Sequence, residues 1–239
     1  LFLSFPHEVA GFLGQVPSVV MSTLGVALLV NATHLILASN RTDIRGWDVI
    51  WFSLGDFGWW LASLALIVTN LWITSAWGIF AATLVACIVA GLGVAQLWIF
   101  GRTLHGNNRK DHFKACISSW MALPTWVKIW LVLLNGVFLV AFAFLPGRIA
   151  EVTLISYIAT GPLLVGQIGY DGGLRRILAL AHIVPWTPLL AWLLLISEFT
   201  PYTLVLIPIV AISLVFDFND VRLFLMGDRS VIGKPLQRH

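Results

Sequence analysis

The chain has 239 residues, 59% of them hydrophobic and only 10% charged, with a mean hydropathy of +0.92. Soluble globular domains carry about a quarter charged residues, so a soluble enzyme is excluded and an all-α integral membrane protein in the lipid bilayer is expected. The pI near 9.1 does not point to nucleic acid, because the 14 Lys and Arg gather in a few loops instead of forming a basic surface.

Residues 1–14 lack the basic region of a signal peptide and read as a short interfacial segment. Beginning on Leu1, the chain reads as processed or incomplete at its start. Seven apolar stretches follow, near 15–39, 48–70, 76–101, 125–145, 150–169, 177–197 and 202–226. Each approaches the roughly 20 residues that a helix needs to cross a bilayer. Pro146 and Pro201 mark boundaries, and the loops at 40–47, 102–124 and 170–176 carry the Gly, Asn and charge that interrupt helices. Pro146-Gly147 predicts a tight turn between the fourth and fifth spans. Cys87 falls in a span and Cys116 in a basic loop, so no disulfide is expected.

Charge orients the seven spans. Arg148 is the only basic residue on the side that holds the N-terminus; the other 13 of the 14 fall on the opposite side, in the three loops above, in adjoining helix ends and in the tail. The positive-inside rule therefore predicts N-terminus out and C-terminus cytoplasmic, and the location expected is the bacterial inner (plasma) membrane. Trp47, Trp51, Trp98, Trp120, Trp126 and Trp130 fall near the cytoplasmic interface, and Trp72, Trp77 and Trp192 toward the outer one, as an aromatic belt requires. Trp59, Trp60 and Trp186 lie well inside their spans instead.

Sliding the chain against itself sets Ala32-Thr33 on Ala159-Thr160, Trp59 on Trp186 and Leu66 on Leu193. These matches suggest a parallel 3+1+3 repeat within a single transmembrane domain, 1–239. The parts are a first helix triplet, 15–101; a basic cytoplasmic loop, 102–124; a linker helix, 125–145; a second triplet, 150–226; and a cytoplasmic tail, 227–239. The topology and the paired tryptophans resemble those of sugar and vitamin carriers built as three-plus-one-plus-three spans. The likeness is architectural, because none of the signature motifs of those carriers is present.

Asp56 lies about eight residues past the nearest loop, roughly 12 Å deep at 1.5 Å per residue. Trp59 and Trp60 share its helical face at i+3 and i+4. An acid at that depth points to function, and desolvation favours its neutral form, which suits proton coupling. Gly55 and Gly58 flank it and allow another helix to approach. Asn135 lies at similar depth in the fourth span; with Trp186 it completes an expected central pocket of Asp56, Trp59, Trp60, Asn135 and Trp186. The simpler role of Asn135, with Asn31 and Gln96, is interhelical hydrogen bonding. Asp217 and Asp220 lie near the cytoplasmic end of the seventh span. His34 and His182 sit at equal depth. Their sharper reading is a pair of axial ligands to haem or a chlorin, against the simpler role of satisfied structural histidines. No cofactor, metal site or catalytic residue is predicted.

The seventh span has no Lys for a retinal Schiff base, and two buried histidines fall short of a three-histidine zinc hydrolase or a di-iron oxidase. Gly-rich phosphate loops and a serine nucleophile elbow are also missing. Two functions stay in view. One is a non-enzymatic membrane protein whose pocket binds or passes a small neutral or weakly basic solute, coupled to protons. The other is an accessory subunit of a larger membrane complex, with other membrane subunits or pigments as partners.

Overall fold

Apolar runs of this length satisfy their backbone in hydrocarbon by intrahelical hydrogen bonds, and the computed structural model is all-helical. It describes residues 2–41, 45–106, 108–196 and 199–233. Among these are nine α-helices: α1 (Pro6–Leu13), α2 (Ser18–Ser39), α3 (Gly46–Thr69), α4 (Ala76–Leu104), α5 (Arg109–Met121), α6 (Thr125–Val140), α7 (Arg148–Asp171), α8 (Leu180–Ile196) and α9 (Pro201–Leu225). Short 3-10 turns extend α6 through Ala141–Phe144 and lead into α8 through Arg176–Ala179. Seven of these stretches are long and apolar enough to cross a membrane, and each falls within three residues of its predicted bounds. The chain is therefore read as an integral membrane protein in contact with the lipid bilayer. Leu1 of the predicted interfacial segment, 42–44 of the first loop, Asn107 of the second, Ser197 at the end of the predicted sixth span, and 234–239 of the tail lie outside the described residues.

The chain divides into two compact units, Leu1–Gly93 and Val94–His239, with the division inside α4. In the first unit, α1 packs on α2. Ala10, Val16 and Met21 form a small core there, covered by Phe2, Val9, Leu13 and Trp72. The turn after α1 is tied to the turn between α3 and α4: Gln15 N donates to Trp72 O at 3.0 Å, and Thr74 N donates to Leu13 O at 3.0 Å. Gly14 is required at this crossing, since its φ is +136° and a Cβ would meet Thr74 Oγ1 at 2.2 Å. Further along α3, Phe57, Trp60 and Leu64 form a buried stripe at helical spacing.

In the second unit α8 packs against both α7 and α9, and α6 against α7 and α9. The sharp turn predicted at Pro146-Gly147 is present: Gly147 N donates to Phe144 O at 2.8 Å and α7 starts at Arg148. Pro162, Pro185, Pro188 and Pro208 lie inside helices, as neighbouring helices in a membrane bundle allow. Thr200 caps α9 through a reciprocal bond with Thr203.

The stretch 102–124 differs from the expected loop, because it contains α5. Asn108 caps it by accepting from Asp111 N at 3.0 Å. Its buried residues, His112, Cys116 and Ser119, face the end of α7. His112 Nε2 lies 2.7 Å from Gly169 O, and Ser119 Oγ accepts from Leu174 N at 2.9 Å. The partners of these anchors lie more than 50 residues away in the chain.

Candidate functional site

A cavity of about 760 Å³ lies in the second unit, with walls that include Asn135, Tyr157, Arg175, His182, Trp186 and Asp217. Its aromatic side is built from three helices. His182 and Trp186 are one turn apart on α8, so their rings overlap, with centroids 4.3 Å apart and planes 18° from parallel. Phe138 of α6 stacks on Trp186 at 4.8 Å, and Tyr157 of α7 stacks on Phe138 at 5.1 Å. Phe138 and Trp186 are 0% and 2% exposed, so the column Tyr157–Phe138–Trp186–His182 is a rigid interior wall.

Each end of the column carries polar chemistry. At one end Tyr157 donates its hydroxyl to Asn135 Oδ1 at 2.5 Å, while Asn135 Nδ2 donates to Leu131 O at 2.6 Å. At the other, His182 Nδ1 lies 3.3 Å from Asp217 Oδ1 of α9. Three buried atoms of cavity-lining residues have no hydrogen-bond partner among the described residues: Trp186 Nε1, Asp217 Oδ2 and Arg175 Nε. A buried polar atom left unpaired costs about 1–3 kcal/mol, so these three are exceptions to the usual pairing of buried polar groups.

Beyond Asp217, charges link the chain segments at the loop end of the cavity. Arg176 bonds Asp220 of α9, and its Nε reaches Asp228 Oδ2 at 2.6 Å. The Ser230 hydroxyl and the Arg176 guanidinium hold the Asp228 carboxyl below the ordinary carboxylate range. Arg175 Nη1 bonds Asp171 Oδ1 at 2.6 Å, and Asp171 is only 4% exposed. That pair replaces hydration for a carboxylate at the end of α7.

The residues expected in one central pocket belong to different units. Asn135 and Trp186 line the second-unit cavity. Asp56, Trp59 and Trp60 belong to the first, and there their shared face is divided. Trp60 is 4% exposed, whereas Trp59 is half-buried and lines a first-unit cavity, also of about 760 Å³, whose walls are almost entirely apolar. Asp56 is half-buried against α4, where Gly93 leaves room: a Cβ there would lie 3.1 Å from that of Asp56. The close approach at Asp56 thus comes from Gly93, since added Cβ atoms at Gly55 and Gly58 would meet nothing within 4 Å.

His34 also belongs to the first unit. Its Nε2 is 3.6 Å from Asp48 Oδ1 and its ring tilts against Phe52. Among the described residues no group of three His, Cys, Asp or Glu side chains is placed to hold a metal ion. Sequence reasoning missed Tyr157 and the arginines as wall residues, and Phe138 stacked behind them. The one local signal was the i, i+4 spacing of His182 and Trp186. No protein-family model, curated protein or solved structure matches the chain.

Proposed function

We propose that this protein binds or passes a small neutral or weakly basic solute through its second-unit cavity, with a proton carried by the His182–Asp217 pair. The observation that carries this reading is the His182–Asp217 pair on the wall of a cavity whose lining residues Trp186 and Asp217 each keep a buried polar atom without a partner among the described residues. A His–Asp pair holding one excess proton is neutral overall, whichever residue carries it. Without that proton it leaves one negative charge in a region where charge is costly. A protonated amine entering the cavity beside the Asp217 carboxylate restores neutrality. Proton and solute then occupy the site alternately, which is the charge logic of an exchanger.

The reading moves the weight of the site from Asp56 to Asp217, which has a titratable partner, an aromatic wall and a cavity beside it. With the N-terminus outside, as the distribution of Lys and Arg favours, the Arg175 and Arg176 end of the cavity lies toward the cytoplasm. The second reading, a subunit of a larger membrane complex, is supported by α2, of which only 11% of the most apolar window is buried.

Purified protein in proteoliposomes under an imposed pH gradient, challenged with a panel of small amines and neutral solutes, tests the proposal. Solute-dependent proton flux is expected, reduced at least tenfold in Asp217→Asn and retained in Arg148→Gln. Absence of flux across the panel, together with a stoichiometric partner that copurifies in mild detergent, would overturn the carrier reading in favour of the subunit.

A further inference from the structure

We infer that α5 is an amphipathic anchor that docks on the anionic headgroup layer of the membrane its neighbouring helices cross. The 13-residue helix runs between two spans, Ala76–Leu104 and Thr125–Phe144, so its ends are held at a membrane surface. Its sequence, RKDHFKACISSWM, divides into three faces at 3.6 residues per turn. His112, Cys116 and Ser119 form the buried face against the protein.

Phe113, Ile117, Trp120 and Met121 share a second face, an arc of about 100° by the same helical geometry. They are 55%, 46%, 45% and 64% exposed. Lys110 falls within this arc, Arg109 and Lys114 stand at its two edges, and all three are exposed. Asp111 and Ser118, also exposed, lie on the third face, away from the apolar arc.

That distribution suits one partner. Aromatic and aliphatic side chains enter the headgroup and acyl boundary, while the basic side chains within and beside the arc extend their stems and place cations among anionic phosphates. The one acid on the helix lies on the face turned from the lipid, where it meets no like charge. Trp126, five residues beyond the helix and 61% exposed, continues the interfacial aromatic surface at the start of the next span. The packing also explains how the face is presented. The bonds of His112 to the end of α7 and of Ser119 to the segment after it fix the rotation of α5, so the apolar arc cannot roll inward.

The test uses the full chain carrying Cys87→Ser, which leaves the buried Cys116 as the remaining native thiol. A nitroxide is placed by Ile117→Cys or, as the opposite-face control, by Ser118→Cys. Protein is reconstituted in nanodiscs of phosphatidylcholine alone or with phosphatidylglycerol, and depth is read by power saturation with oxygen and a water-soluble nickel chelate. The label at 117 is expected about 5–10 Å into the boundary region, deeper with phosphatidylglycerol, and the label at 118 in water. Combining Arg109→Gln, Lys110→Gln and Lys114→Gln is expected to abolish the response to phosphatidylglycerol. A label at 117 as exposed to the chelate as that at 118, or a depth indifferent to phosphatidylglycerol, would overturn the inference. So would shielding of 117 from both reagents, which would identify a protein partner on this face.

Discussion

Gly101 offers the sharpest test of the packing. A Cβ at this position would lie 2.4 Å from both Gly169 O and Tyr170 O and 2.6 Å from Tyr170 Cα, against 3.4–4 Å for ordinary contact. These are backbone atoms, so no side chain can swing aside; the end of α4 and the end of α7 must separate by about 1 Å, a strain on the order of 1–3 kcal/mol. The same carbonyls accept from the histidine rings, with His112 Nε2 2.7 Å from Gly169 O and His105 Nε2 3.2 Å from Tyr170 O. Weakening both adds about 1 kcal/mol, while the helix propensity gained in Gly→Ala returns up to about 1 kcal/mol. Gly101→Ala is therefore expected to destabilise by about 2 kcal/mol.

Gly136→Ala is the matched control. Gly136 lies inside α6, where an added Cβ meets nothing within 4 Å, so only the propensity gain acts and stability rises by up to about 1 kcal/mol. Reversible unfolding in mixed micelles, followed by circular dichroism, measures both. The opposite signs of one chemical change are the prediction. A Gly101→Ala protein as stable as the parent would refute the close helix contact, and with it the anchoring of α5.

Two further outcomes follow from the second unit. Tyr157→Phe removes the donor to Asn135 Oδ1 and is expected to cost about 1–3 kcal/mol, whereas adding Asn135→Leu removes the orphaned acceptor and recovers most of the loss; simple additivity in the double-mutant cycle would contradict the bond. The depressed Asp228 carboxyl contributes stability that is fully present above about pH 4, its ordinary range, and is lost as pH falls through the lowered folded value. Unfolding measured between pH 6 and pH 2 should therefore show an acid-labile component that Asp228→Asn lacks, and an unchanged pH profile in that variant would rule out the Arg176–Asp228 link.

Span placement was legible because a membrane imposes a one-dimensional criterion: a run of apolar residues either reaches across hydrocarbon or does not. For the same reason α5 was hidden inside its basic loop. It is too short and polar to register as a span, and its buried face depends on carbonyls at the end of α7. Asn135 shows the middle case. Its depth predicted an interhelical bond, and Tyr157 supplies one, but nothing in the local pattern selects position 157. Of the three tryptophans that fall inside spans, Trp60 and Trp186 are buried and Trp59 is half-buried.

The sequence by itself thus determined the number and extent of the apolar spans, since hydropathy, proline and capping residues act within a few neighbours. Tertiary structure alone decided that His182 meets Asp217, that Phe138 and Tyr157 complete the ring column, and that Gly93 makes room beside Asp56. Such pairings depend on the rotation and crossing of helices far apart in the chain. In an all-round apolar span many rotations satisfy hydropathy equally well, and only packing chooses among them.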